Sequence, residues 1–137
     1  MEPTLDTKAF VDRFRYMAER AGRRQVSTPF GVLELWETFV DDCREGYDGT
    51  LYEYRDQLSV RRFLQGVLDD PVIRDTPEIE WFAADVARID AKFRALLDAG
   101  HPVPGGTAWW DRRIPGLAGD DMAENVRNHF GIELDIA

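Results

Sequence analysis

The stretch DTPEIEWFAADVARIDAKFRALLDAG, residues 75–100, decides the fold. Within it Ile79, Phe82, Val86, Ile89, Phe93 and Leu96 recur at alternating intervals of three and four. On a helix of about 3.6 residues per turn, that spacing gathers all six on one apolar stripe. Asp75 or Thr76 is placed to cap the start, Pro77 suits the first turn, and Glu78 and Glu80 favour the positive end of the helix dipole. Gly100 marks the stop, and Pro102 and Pro104 block resumption. At about 1.5 Å per residue the helix is a rod of about 33 Å. So long a stripe must be covered, and the other helices are expected to pack around it.

Toward the N-terminus, Thr50 to Asp69 carries two stripes. Leu51, Tyr54 and Leu58 form one, and Val60, Phe63, Leu64 and Val67 form another that faces the opposite way on a continuous helix. Either the helix is buried on both faces or it breaks near Ser59. A short strand at 51–54 is the alternative, and helix throughout is the expectation. Asp70-Pro71 should end it. Before it, Thr28-Pro29 opens a helix lined by Phe30, Leu33, Trp36, Val40 and Cys43, with a turn at Gly46–Gly49. The first helix, 4–21, carries Phe10, Phe14, Met17 and Ala21 on one side, with Asp6 or Thr7 as its cap and Gly22 as its stop. Toward the C-terminus a Pro- and Gly-rich loop at 101–106 precedes Trp109-Trp110-Asp111-Arg112-Arg113. Asp120 is read as the cap of a last helix, 121–130, stopped by Gly131. Ile132–Ile136 alternates like a strand but has no evident partner, so an extended tail lying on the helices is expected.

The chain of 137 residues is 44% hydrophobic, which suits a single helical domain over residues 1–137 with one core. The expected fold is all-α: a compact bundle of about five helices with an extended C-terminal tail. Seventeen Lys and Arg stand against 26 Asp and Glu, a net charge of −9. That balance argues against general binding to nucleic-acid phosphates and for basic protein surfaces or metal ions. Cys43 is the only cysteine, which excludes an intramolecular disulfide and a cysteine-based zinc site. Residues 1–6 carry neither a basic nor a long apolar segment, so no secretion signal is expected. No apolar run approaches the roughly 20 residues of a membrane span. A cytoplasmic protein with no membrane contact is expected.

The two histidines, His101 and His129, are far apart, so no HExxH metal site exists, and a capping or dipole role explains each. Cys43 falls on an apolar stripe and reads as buried rather than nucleophilic. No serine lies in a G-x-S-x-G context, and Gly105-Gly106 is not followed by a phosphate-loop lysine.

The acids from 34 to 56 are the densest feature. Glu34, Glu37, Asp41, Asp42, Glu45, Asp48, Glu53 and Asp56 face only Arg44 and Arg55, eight against two. The stretch from Lys8 to Arg24, the first helix and the residues after it, is basic by contrast: Lys8, Arg13, Arg15, Arg20, Arg23 and Arg24 oppose Asp12 and Glu19. The plain reading is a solvated face balanced by that helix. The functional reading is a docking surface for a basic protein partner, with Asp41, Asp42, Glu45 and Asp48 pointing to solvent. Trp109 and Trp110, beside Arg112 and Arg113, are either interface anchors or a cover over the open end of the core. This gives a non-enzymatic acidic interaction module. Small inhibitors such as immunity proteins for nuclease toxins share its size and charge, by physical analogy rather than by sequence.

The same window holds a second reading. Glu34-Leu-Trp-Glu37 and Glu53-Tyr-Arg-Asp56 are an ExxE and an ExxD, and carboxylates three apart share a helix face able to hold Mg²⁺. Over these 23 residues the chain resembles the all-α NTP pyrophosphohydrolases, the MazG and dimeric dUTPase group. The resemblance implies Mg²⁺ bound by Glu34, Glu37, Glu53 and Asp56, positioning a triphosphate and activating water.

Overall fold

The computed structural model describes the backbone of residues 3–137 and the side chains from residue 8 onward. The candidate caps Asp6 and Thr7 lie outside the described side chains. Among the described residues there are six helices: α1 (Pro3–Arg20), α2 (Pro29–Arg44), α3 (Leu51–Asp69), α4 (Pro71–Arg74), α5 (Ile79–Asp98) and α6 (Asp120–Phe130). Four two-residue strands join them: β1 (His101–Pro102), β2 (Arg113–Ile114), β3 (Leu117–Ala118) and β4 (Asp135–Ile136). The mostly helical architecture matches the pattern of the sequence, with α4 and the strands as additions.

The α5 stripe is buried at Phe82, Val86, Ile89 and Phe93. Ile79 and Leu96 are only half-buried, and Leu97 enters the core in place of Leu96. α5 packs on α2 and α3, with β2 against it as well. At its start, Phe82 meets Phe10 and Phe14 of α1 with ring centroids 5.6 and 5.9 Å apart. Its beginning corrects the sequence reading. Glu78 occupies the cap position without a side-chain bond, while Asp75 ends α4 and the Thr76 hydroxyl donates to the Ile73 carbonyl. The preceding helix has taken these residues.

α3 runs unbroken from Leu51 to Asp69. Thr50 caps it reciprocally: its hydroxyl accepts from the Glu53 amide and the Glu53 carboxylate accepts from the Thr50 amide. Leu51, Tyr54 and Leu58 are buried on one side and Val60, Leu64 and Val67 on the other. The helix can bury both because α1, α2, α4, α5 and α6 all touch it.

A polar knot ties α2, α3 and α5 together. Arg61 is 3% exposed, and its Nε and Nη2 each donate to Asp90 at 2.9 Å, in a bidentate pair. Trp36 Nε1 donates to the same carboxylate at 3.0 Å, and Trp110 lies over the guanidinium at 4.6 Å.

The C-terminal third is held by short pairings. β1 and β2 are antiparallel, and β3 and β4 are parallel. β3 is the partner that sequence alone did not reveal for residues 135–136. Ala118 also bridges to Tyr47, so the turn after α2 is pinned to the C-terminal segment. Gly131, with φ of 68°, ends α6, as its position suggested. Gly119 takes the cap position of that helix and Asp120 lies inside it, again a correction.

Candidate functional site

The eight acids of residues 34–56 divide into two groups. Glu37 and Asp41 face α5. Arg88 grips the Glu37 carboxylate at 2.6 and 3.0 Å, and Lys92 lies 3.0 Å from Glu37 and 2.7 Å from Asp41. The hydrogen bonds from Arg88 and then Lys92 hold the Glu37 carboxyl down at about 2. Asp41, and Glu37 in turn, keep the Lys92 ammonium protonated above its usual range. Asp41 is therefore half-buried and ion-paired, which corrects its reading as a free solvent-facing acid.

The remaining six, Glu34, Asp42, Glu45, Asp48, Glu53 and Asp56, are exposed. The basic N-terminal stretch leaves most of them uncovered, although the charge of Asp56 reaches Arg23. Arg13 instead donates to Asp70 at 2.7 and 3.0 Å, where α3 meets α4, and Arg23 donates to the Ser59 hydroxyl. Arg44 reaches Glu45 and Asp41 only at 4.0 Å, from a largely exposed side chain, so it neutralises little.

Five of these acids border two adjoining concavities, and Asp56 lines neither. One, of about 470 Å³, has Val26, Leu35, Phe39 and Tyr47 in its walls and Glu34 and Asp42 beside them. The other, of about 390 Å³, is lined by Asp42, Glu45, Asp48 and Glu53 around Tyr47. Tyr47 and Asp42 belong to both. Burial, followed by the fields of Glu53, Cys43, Asp42 and Asp56, raises the Tyr47 phenol above its ordinary pKa. The result is an apolar trough with an acidic rim, built by α2 and the segment before it, the 46–49 turn and the first half of α3.

Of the predicted contact residues, Asp42, Glu45 and Asp48 therefore come together at this trough. Trp109 and Trp110 do not join them. Trp110 is buried at 7% exposure and Trp109 is half-buried, with the Arg94 guanidinium 3.7 Å from its ring centre. Trp110 belongs to the core cover, so its reading as an exposed anchor is corrected.

The ExxE and ExxD carboxylates are not assembled either. Glu37 is occupied by α5 cations and Glu53 by the α3 cap. Among the described residues no group of three or more His, Cys, Asp or Glu is arranged to hold a metal ion. Cys43 is buried, and its thiol is pushed far up by burial, so it is no nucleophile. No described helix is long and apolar enough to cross a membrane.

Sequence reasoning missed Tyr47, Leu35 and Val26 as parts of the trough. Leu35 left a signal, since it sits off the apolar stripe of α2. No protein-family model, curated protein or solved structure matches this chain.

Proposed function

We propose that the chain is a non-enzymatic interaction module, acting in the cytoplasm, that binds a basic protein segment in the trough around Tyr47. The observation that carries this reading is the set of five exposed carboxylates, Glu34, Asp42, Glu45, Asp48 and Glu53, bordering an apolar floor, with only the long Arg44–Glu45 contact of 4.0 Å set against them among the described residues. Charge attracts and orients a cationic partner, and the floor of Val26, Leu35 and Phe39 accepts apolar side chains between its Lys or Arg residues. Such a partner loses little by docking, because Glu34, Asp42 and Asp48 form no internal ion pair among the described residues and Glu45 meets Arg44 only at 4.0 Å. An inhibitor of the immunity type, which masks a basic surface on its target, is the kind of protein that this arrangement serves.

The test is capture from an extract of the native host by the wild-type chain and by the Asp42→Lys/Glu45→Lys/Asp48→Lys variant. A protein of basic surface held by the first and lost by the second, with Arg55→Glu/Arg62→Glu still retaining it, supports the reading. Equal retention by the wild-type chain and the lysine variant rejects it.

A further inference from the structure

On the other flank of α3 lies a cavity of opposite character. Arg55, Leu58 and Arg62 succeed one another at helical spacing, so they share a face turned away from Glu53 and Gln57. Opposite them stand the 103–106 loop and Arg113, and together they enclose a cavity of about 350 Å³. Its floor is apolar, with Leu51, Leu58 and Ile114, and its polar lining is dominated by Arg55, Arg62 and Arg113. Among the described residues only Asp111 opposes these three in the wall, and its Oδ1 already accepts from the Ala108 amide at 2.8 Å.

In a chain of net charge −9, three arginines converging on one concavity need an explanation. Arg55 and Arg62 form no ion pair with any described residue, although the chain as a whole carries more acids than bases. Arg113 is held in place: its Nε donates to the Leu97 carbonyl at 2.8 Å and its Nη2 to the Gly100 carbonyl at 3.0 Å. These bonds leave further N–H groups of its planar fork free. Arg55 is steadied over the Phe130 ring, 5.5 Å from its centre.

A second observation is independent of the arginines. Tyr54 also lines this cavity, is 1% exposed, and its hydroxyl has no hydrogen-bond partner among the described residues. An orphaned buried hydroxyl destabilises the fold unless something entering the site satisfies it. The phenol is displaced far upward by burial, with Cys43 and Asp111 adding to it, so it remains a donor across the physiological range.

We infer that the cavity between α3 and the 103–114 segment is a binding site for a small organic anion, a phosphate monoester or a carboxylate with an apolar body. The guanidinium groups present paired N–H donors to the anionic head. Leu51, Leu58 and Ile114 cover the body, and the volume suits a ligand of small-metabolite size. The site does not depend on the acidic trough, and either can stand without the other.

The test uses the full ¹⁵N-labelled chain, titrated with phenyl phosphate, benzoate, inorganic phosphate and uncharged benzyl alcohol while amide shifts are followed. The expected result is saturable movement of the Gly105, Gly106 and Leu58 amides by phenyl phosphate or benzoate, with the tighter of the two identifying the head group. Arg55→Glu/Arg62→Glu, both at exposed positions, should weaken that binding by at least about tenfold while leaving the spectrum folded. Tyr54→Phe should weaken it less and stay folded. No saturable shift by either organic anion overturns the inference. So does equal movement by benzyl alcohol, or binding that survives Arg55→Glu/Arg62→Glu undiminished.

Discussion

Replacing Asp90 by leucine should be among the most damaging single changes at a polar residue of this protein. Asp90 is 7% exposed and accepts three hydrogen bonds, two from Arg61 and one from Trp36. Without it a guanidinium at 3% exposure keeps its charge and loses its partner. Breaking a buried pair from one side costs about 3–5 kcal/mol, a large share of the roughly 5–15 kcal/mol that holds a domain together. Removing both charges is a different perturbation. Arg61→Met/Asp90→Leu strands the buried Trp36 indole N–H, a loss of about 1–3 kcal/mol, and frees the half-buried Gln65 amide oxygen, which water can satisfy. The double variant should therefore be more stable than Asp90→Leu alone. Equilibrium urea unfolding followed by tryptophan fluorescence measures both. With a slope of about 2 kcal/mol per molar, the single variant should lower the midpoint by about 2 M and the double variant by about half that. A loss below about 1 kcal/mol for Asp90→Leu would refute the reasoning, as would a double variant less stable than the single one.

Acid should weaken the α2–α5 contact in a defined window. The folded Glu37 carboxyl sits at about 2 against an ordinary 4.5, so its contribution is complete above about 4.5 and lost as pH falls toward 2. Glu37→Gln should flatten stability against pH across that window, and cost under about 1 kcal/mol at neutral pH because Arg88 is half-exposed. Thr50→Ala removes the cap of α3 and should cost about 1 kcal/mol in chemical denaturation. Gly100→Ala places a Cβ against the Ile114 carbonyl, so β1 and β2 must part and thermal unfolding should fall by about 2 kcal/mol or more.

The helices were legible where one period ruled a long segment, as in α2 and α5. α3 was readable as a helix with two buried faces, though what covers each face depends on neighbours that no local pattern names. α4 was missed because Asp70-Pro71 is both a stop and a start: Asp70 ends α3, and its side chain then caps α4 by accepting from the Ile73 amide at 3.0 Å. Two-residue strands carry no periodicity, so β3 and β4 could be found only together in space. The charge of the 34–56 segment was plain in sequence, but its pairing was not. Arg88 and Lys92, four apart on α5, turned out to be the neutralising cations, and the arginines of α1 went elsewhere. The buried Arg61–Asp90 pair did leave a trace, since Asp90 follows Val86 by four and precedes Phe93 by three on the apolar side of α5.

The acidic trough should bind its basic partner through charge that the fold itself leaves uncompensated. The most direct measurement is the affinity of the captured partner for the wild-type chain and for Asp42→Lys/Glu45→Lys/Asp48→Lys at rising ionic strength. Wild-type affinity should fall by at least about tenfold as salt screens the rim between about 50 and about 300 mM, while the variant binds weakly at every salt. Affinity indifferent to salt, and unchanged by reversing the three acids, would contradict it.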